Sequence, residues 1–333
     1  MQYLVMDFGG TLVKYSVMDE TCAVFLRGED DAPVADRAAF LEYLCALYER
    51  TCKTFSIGGV EVSMPGVIDA EAGYLRSAGA YSALYGMDLT ETLKKWIPVP
   101  VSVENDAKCG ALAEVWRGNL RDCDDGIVLI LGTGVGGGIV KNRKIHRGKN
   151  LSAGEFSSFV LGDTAEPRNL AAAKCSVSAL LFEAMRRKGI DLRKNRHYEM
   201  LRHILPCDQT LSAYDRDPAY DRGMDGHQFF ALLEQGDPVI ASLYAQYTYS
   251  LALLIFNLQI SYAPEKVLIG GGISRQARLV PDIHAQYERI RKDAGVLFDL
   301  PCCLDVCRFG NEANQYGALY HFLCRYTRTG AEE

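Results

Sequence analysis

Two glycine-rich stretches decide the fold: Asp7-Phe-Gly9-Gly10-Thr11, and Leu131-Gly-Thr-Gly-Val-Gly-Gly-Gly138. Each follows a short apolar run typical of a β-strand, YLVM before the first and GIVLI before the second. Glycine lets the backbone approach an anion closely and point its N–H groups at phosphate oxygens. Two such turns therefore predict a protein that holds a nucleoside triphosphate from both sides. A third cluster, 270–272, follows the run KVLI and is expected at the nucleoside end of the same site.

The second stretch formally matches the dinucleotide-binding pattern G-x-G-x-x-G, which requires a helix to follow it. Here the chain continues as GGIVKNRKIHRGK, which is rich in glycine and β-branched residues and starts a helix poorly. The sequence instead predicts a strand, a turn and another strand over the phosphates. No G-x-x-x-x-G-K-[ST] pattern occurs in the chain, which excludes P-loop chemistry.

Composition places further limits on the function. A length of 333 residues favours two domains, and a net charge of −6 without a long basic run argues against a nucleic-acid surface. The eleven cysteines are scattered without a C-x-x-C spacing, which indicates reduced thiols. The apolar run 249–263 is too short for a membrane span and predicts a buried helix. With no secretion signal at the start, the sequence predicts a cytoplasmic protein without a membrane or nucleic-acid partner.

Five motifs in order carry a family resemblance: DFGGT at 7–11, PGVID at 65–69, VENDAKCGALAE at 103–114, LGTGVGGG at 131–138 and SAGEF at 152–156. They closely resemble the ROK family of sugar kinases, and look most similar to its β-glucoside kinase branch. The resemblance implies an α/β fold of the actin-like ATPase (ribonuclease H-like) type, with two domains and a cleft between them. The domains would be 1–116 together with a returning helix in 311–333, and 117–310. A homodimer is also implied.

The ENDA segment carries the expected catalytic group. Asn105 or Asp106, between a strand and an alanine-rich helix, could simply cap that helix. Phosphorylation of an alcohol, however, needs a carboxylate near the hydroxyl, and the resemblance assigns Asp106 as that general base. It also assigns Asn105 to a sugar hydroxyl. Asp7 could merely close a turn, but the resemblance implies that it faces Mg²⁺ through water.

The remaining candidate residues fall into a sugar set and a nucleotide set. Glu155 is expected to accept hydrogen bonds from sugar hydroxyls, with a solvated loop carboxylate as the alternative, and Gly66 and Gly79 would let the backbone approach the sugar. Gly271 and Gly272 are expected against the adenosine moiety, with a purely structural turn as the alternative. The expected nucleotide-binding residues are Asp7, Gly9, Gly10, Thr11, Gly132, Thr133, Gly134, Gly136, Gly271 and Gly272.

The chain departs from the family at its zinc motif. Many members have a histidine and a cysteine cluster after the AGE motif, followed by a second glutamate. Here Ser158 takes the histidine position, Ala172 the glutamate position, and 160–180 contains a single cysteine, Cys175. No zinc is therefore expected, and glucokinase or N-acetylmannosamine kinase activity is put in doubt.

The resulting expectation is an enzyme that uses ATP and Mg²⁺ to phosphorylate a hydroxyl, the 6-hydroxyl by preference, of a β-glucoside or hexose. Two alternatives remain open: a sugar-responsive transcriptional regulator and a non-catalytic sugar-binding protein. A regulator would need a DNA-binding domain before the first motif, which here begins at residue 7. A non-catalytic protein is disfavoured because Asp7, Asp106 and the glycine turns are all present.

Overall fold

The computed structural model describes residues 1–207, 217–310 and 312–327. Packing divides them into two compact units. The first unit contains Met1–Asp124, Gly138–Gly154 and the chain from Arg308 onward; the second contains Asp125–Gly137 and Glu155–Cys307. These units differ from the domain bounds expected from the sequence chiefly in 138–154, which pack with the first unit.

The described residues form thirteen strands and ten helices. The strands are β1 Gln2–Phe8, β2 Leu12–Asp19, β3 Val24–Asp31, β4 Ile57–Met64, β5 Ile68–Asp69, β6 Tyr74–Leu75, β7 Met87–Asp88, β8 Val101–Asn105, β9 Gly126–Leu131, β10 Val135–Lys141, β11 Lys144–His146, β12 Lys266–Gly270 and β13 Leu304–Val306. The helices are α1 Arg37–Cys52, α2 Leu89–Leu93, α3 Asp106–Arg117, α4 Ala171–Cys175, α5 Val177–Lys188, α6 Tyr198–Leu201, α7 Gly226–Glu234, α8 Pro238–Tyr262, α9 Leu279–Asp293 and α10 Ala313–Tyr326.

The first unit is built on a five-stranded sheet in the order β3-β2-β1-β4-β8. β1 pairs antiparallel with β2 and parallel with β4, which pairs parallel with β8. Alternate side chains of a strand point to opposite faces, so Val60 and Val62 join α1 in one core. Tyr3 and Val5 face the other way and pack with Phe322 of α10. The same alternation places Glu61 on the α10 side of the sheet.

Helices α3 and α10 cross at very short range on that second face. A Cβ atom added to Gly317 of α10 would lie 1.6 Å from the carbonyl oxygen of Cys109 in α3. Glycine is therefore required at this position for the two backbones to approach. The crossing holds the beginning of α3, where Asp106 lies, against the sheet.

The second five-stranded sheet has the order β11-β10-β9-β12-β13. From Val135, within the Gly132–Gly138 stretch, the chain forms the antiparallel hairpin β10–β11, which turns at Asn142 and Arg143 with positive φ angles of 50° and 61°. The predicted strand–turn–strand is thus confirmed, and no helix follows the glycines. β12 pairs parallel with β9, which brings the third glycine cluster beside the end of β9.

The long helix α8 contains the apolar run that the sequence analysis assigned to a buried helix. By length and composition α8 is the one helix among the described residues that could cross a membrane. Half of its most apolar window is buried inside the protein, and its buried side chains include Leu251, Leu254, Ile255 and Leu258. The core helix of a soluble protein can have the same length and composition, so these two properties alone are weak evidence for a membrane span.

Candidate active site

Asp106 lies at the first position of α3, directly after β8 ends. Asn105 is the helix cap: its side-chain oxygen accepts the N–H of Lys108 at 3.0 Å. Its amide nitrogen donates to the carbonyl of Gly66 at 2.9 Å and to Oδ1 of Asp106 at 3.1 Å. The capping role is therefore taken by Asn105, and Asp106 is held by its neighbour and by the N–H of Ala107 at 2.8 Å.

Asp7 and Asp106 both have raised pKa values. Burial, and after it the negative charge of Asp7, raises the pKa of Asp106 to about 6. Burial likewise raises the pKa of Asp7, against the lowering effect of its hydrogen bonds with Ser63 and Asn314. A carboxylate with a pKa near 6 is ionised at neutral pH and still basic enough to accept a proton from an alcohol.

Asp7 is held at the end of β1 by two side chains that the motifs did not single out. The hydroxyl of Ser63 donates to Oδ1 at 2.8 Å, and the amide of Asn314 lies 3.2 and 3.3 Å from the two carboxylate oxygens. One oriented carboxylate beside a glycine-rich turn fits Mg²⁺, which is usually bound by one or two carboxylates plus phosphates and water. The residues present are therefore compatible with the expected ion.

The DFGGT turn has a defined set of possible phosphate donors. The N–H of Gly9 is already donated to the carbonyl of Leu12 at 2.9 Å. The carbonyl of Gly9 accepts the hydroxyl of the buried Tyr81 at 2.6 Å. Gly10 and Thr11 are exposed at the tip of the turn. Of this turn, Gly10 and Thr11 are therefore the accessible residues, whereas the N–H of Gly9 is already used.

Gly66 and Gly79 lie next to each other in the same unit, and both have positive φ angles, 118° and 54°. A Cβ atom on Gly66 would lie 2.2 Å from the carbonyl oxygen of Ser77, and one on Gly79 would lie 3.0 Å from Pro65. The positive φ angles and the close neighbours therefore both favour glycine at these two positions. The same tight packing leaves the carbonyl of Gly66 fixed to Asn105.

The second unit contains the other glycine turn. The carbonyl of Gly132 accepts the N–H groups of Val177 and Ser178 at 3.0 and 3.3 Å, which attaches the turn to the beginning of α5. Ser157 accepts the N–H of Val135 at 2.9 Å and returns a hydrogen bond to its carbonyl at 3.2 Å. Ser157 follows Glu155 by two residues, so the AGEF segment is tied to the Gly134 turn.

A cavity of about 540 Å³ in the second unit is lined by members of two predicted nucleotide motifs, Gly132, Thr133 and Gly272. His197 also lines it, with Nε2 lying 3.4 Å from the hydroxyl of Thr133. Gly271 has φ +90°, and a Cβ atom there would lie 2.1 Å from the carbonyl oxygen of Leu131. A side chain at position 271 would therefore clash with the backbone of Leu131, so glycine is required there. Gly272, in contrast, lines the cavity. Gly136 lies within β10.

Several residues at these sites were missed by the sequence analysis. Ser63, Tyr81 and Asn314 hold the first turn, and His197 lies between α5 and α6. None belongs to a glycine or carboxylate motif, and Asn314 is 307 positions from Asp7. An alternation argument on β4 could have found Ser63, since it follows Glu61 on the same face.

Comparisons with known proteins agree with this architecture. The β-glucoside kinase of Listeria monocytogenes is 26% identical over 325 residues, 97% of this chain and 98% of the relative. A ROK family protein of Streptococcus pneumoniae in complex with sucrose matches 98% of this chain and 99% of its own at 22% identity and TM-score 0.76. A ROK glucokinase of Streptomyces griseus in complex with glucose and AMPPNP matches 96% and 98% at 21% identity and TM-score 0.70.

The structural likenesses show the fold, which is the mixed α/β actin-like ATPase fold. The model of the ROK family matches residues 3–323, nearly the whole chain. The resemblance carried by the five motifs is thereby confirmed, and the protein belongs to the ROK family.

Proposed function

We propose that this ATP-dependent carbohydrate kinase transfers the γ-phosphoryl group of ATP to the 6-hydroxyl of a β-glucoside or hexose, with Asp106 as general base. Relatives named as kinases support the activity, and the similarity to β-glucoside kinases supports the acceptor. The observation that carries the proposal is the environment of Asp106. It is a buried carboxylate at a strand-to-helix junction, with a pKa raised to about 6 and its direction set by Asn105.

In the proposed step the acceptor hydroxyl donates its proton to the Asp106 carboxylate. The hydroxyl oxygen bonds to the γ-phosphorus while the bond from that phosphorus to the β,γ-bridging oxygen breaks, and ADP leaves. Asn105 and Glu155 bind hydroxyls of the sugar, and Gly66 and Gly79 allow the backbone to lie close to it. Positioning and charge stabilisation supply most of the catalysis in phosphoryl transfer.

The nucleotide is assigned to the glycine turns of the two units. In the first unit Gly10 and Thr11 are exposed, and in the second unit Thr133 and Gly272 line a cavity. Asp7 would hold Mg²⁺ through water, and the ion would neutralise charge on the phosphates. We further infer a cytoplasmic enzyme that works as a homodimer.

A coupled assay of ADP release with cellobiose, gentiobiose, glucose and N-acetylmannosamine tests the proposal. Sugar-dependent ADP release, with phosphate at C6 of the product by NMR, is the expected result. A regulator or a non-catalytic sugar-binding protein would bind sugar in calorimetry without turnover. Turnover of no sugar in the presence of Mg²⁺ and ATP would refute the kinase proposal.

A β-glucoside such as cellobiose is expected to be used at least as well as free glucose. The family's histidine and second glutamate are replaced here by Ser158, which is exposed, and Ala172. Both replacements are smaller, so a group attached at C1 of the sugar has room to project outward. A site without those polar partners also loses nothing when the C1 hydroxyl is absent.

The measurement is kcat/KM for cellobiose, glucose and N-acetylmannosamine under the same conditions. Ser158→His is the matched variant, because it restores the bulk of the family residue at one position. It should lower kcat/KM for cellobiose more than for glucose. A tenfold preference of the unmodified enzyme for either monosaccharide would contradict the open pocket.

A further inference from the structure

Two fully buried carboxylates lie on the α10 side of the first sheet and are not used by the proposed reaction. Glu61 of β4 and Glu104 of β8 both have side chains that are 0% exposed. Glu61 is paired with His321 of α10 at 2.9 Å, and Glu104 is paired with Arg147. Isolated buried carboxylates are unfavourable, and partners of opposite charge within bonding distance offset that cost.

The two pairs form one electrostatic group. Burial alone would lower the pKa of His321, but the charges of Glu61 and Glu104 outweigh it and raise that pKa. With His321 protonated, two negative and two positive groups balance. Because His321 is paired with Glu61, Arg147 is the cation that balances the negative charge of Glu104.

Glu104 is connected directly to the expected catalytic residues. Its Oε1 accepts the backbone N–H of Asn105 at 2.7 Å, while Oε2 binds Arg147. Asn105 in turn holds Gly66 and donates to the carboxylate of Asp106. A continuous series of contacts thus runs from the guanidinium of Arg147 to the carboxylate of Asp106.

Arg147 also begins the segment that carries the AGE motif. Its carbonyl accepts the N–H of Ala153 at 3.2 Å, which closes the loop two residues before Glu155. Its Nη1 is buried and has no hydrogen-bond partner among the described residues. An unsatisfied buried donor is unfavourable, so the ion pair with Glu104 offsets a cost at this position.

We propose that the Arg147–Glu104 ion pair is a positioning pair for the sugar acceptor. It fixes the backbone at Asn105, and thereby the direction of Asp106, and it fixes the start of the segment that leads to Glu155. The inference rests on the proposed function, because it takes Asp106 and Glu155 as the groups that meet the sugar. Arg147 acts through other residues and is not itself a catalytic residue.

Arg147→Gln should lower kcat for the sugar by about 10- to 100-fold, since small misplacements of reacting groups have effects of that size. The KM for ATP should stay within twofold of the unmodified value. Arg147→Lys, which keeps the charge, should recover part of kcat. A Lys188→Gln variant is the matched control, because Lys188 forms a comparably buried ion pair with Asp237 in the second unit. It should lower the Tm and leave kcat unchanged.

Loss of a purely structural ion pair would reduce the Tm in both variants and kcat in neither. A folded Arg147→Gln enzyme with kcat and sugar KM within twofold of the unmodified protein would therefore overturn the inference. If Arg147→Gln does not fold, the double variant Glu104→Gln/Arg147→Gln removes both charges and keeps an oxygen for Asn105. Its kcat should fall as far as that of Glu104→Gln alone, because the pair acts as a unit. A further loss in the double variant would contradict this.

Hydrogen exchange separates this inference from the proposed function. The Asn105 amide should exchange faster in Arg147→Gln than in the unmodified protein, because its acceptor Glu104 is no longer held. Unchanged exchange would count against the positioning pair, whatever the activity. If the unmodified protein phosphorylates no sugar, the proposed function fails, while the exchange result still tests the connection from Arg147 through Glu104 to Asn105.

Discussion

At the scale of single residues, Asp106 shows how the fold makes a carboxylate basic. Burial and the charge of Asp7 disfavour its ionised form, and the hydrogen bonds from Ala107 and Asn105 keep it oriented. A more exposed aspartate would have a lower pKa and would be a weaker base. The sequence located Asp106 through its motif, but the origin of its basicity lies in neighbours far along the chain.

Asp106→Asn should lower kcat by about 10² to 10⁴-fold while sugar binding persists, the usual effect of losing a positioned base. Because the base must be ionised, kcat/KM of the unmodified enzyme should fall as the pH drops through about 6. A pH–rate profile from 4.5 to 8 tests both points. More than a tenth of the kcat remaining in Asp106→Asn, or an acid limb near the ordinary aspartate value, would remove Asp106 from this role.

At the scale of elements, the sequence predicted well those features that depend on local chemistry. The glycine and β-branched residues after Gly134 correctly predicted a hairpin in place of a helix. β8 ends at Asn105, and the side chain of the same residue caps α3, so the strand passes directly into the helix. The contact of Glu104 with Arg147 joins positions 43 residues apart, and no periodic pattern reports it.

The crossing of α3 and α10 gives a stability prediction at this scale. Gly317→Ala should destabilise the protein by about 1–3 kcal/mol, because the new methyl group meets the backbone of α3 and not a movable side chain. Gly226→Ala is the control, since a Cβ at that first position of α7 has no neighbour within 4 Å. Thermal unfolding by circular dichroism measures both. An unchanged Tm for Gly317→Ala would mean that the helices separate at little cost.

At the scale of the whole molecule, the resemblance predicted the family and the fold because its five motifs span the chain. It did not predict that 138–154 pack with the first unit, since this depends on Gly138 lying against Ala111 and Arg147 against Glu104. His197, between α5 and α6, lines the cavity beside Thr133 without belonging to any sequence motif.

A metal analysis tests two expectations for the whole protein. Less than about one-tenth of a zinc ion per chain should remain after dialysis against a chelator, because a tetrahedral site needs four ligands. In the described residues, no group of three or more His, Cys, Asp or Glu side chains is placed to hold a metal. Chelation should abolish activity, and added Mg²⁺ should restore it. About one tightly held zinc per chain would contradict the expectation of a protein without zinc.

The packing of α10 on α3 and β1 also has a consequence for synthesis on the ribosome. The first unit lacks this helix until residues beyond 313 have been made, although its own first stretch ends at Asp124. At a translation rate of about 5–20 residues per second, β1 and α3 wait roughly ten to forty seconds with an apolar face uncovered. During that interval the uncovered apolar face of the nascent chain is a surface that chaperones can bind. A stalled ribosome would leave the segment that carries Asp106 without the helix that holds it in place.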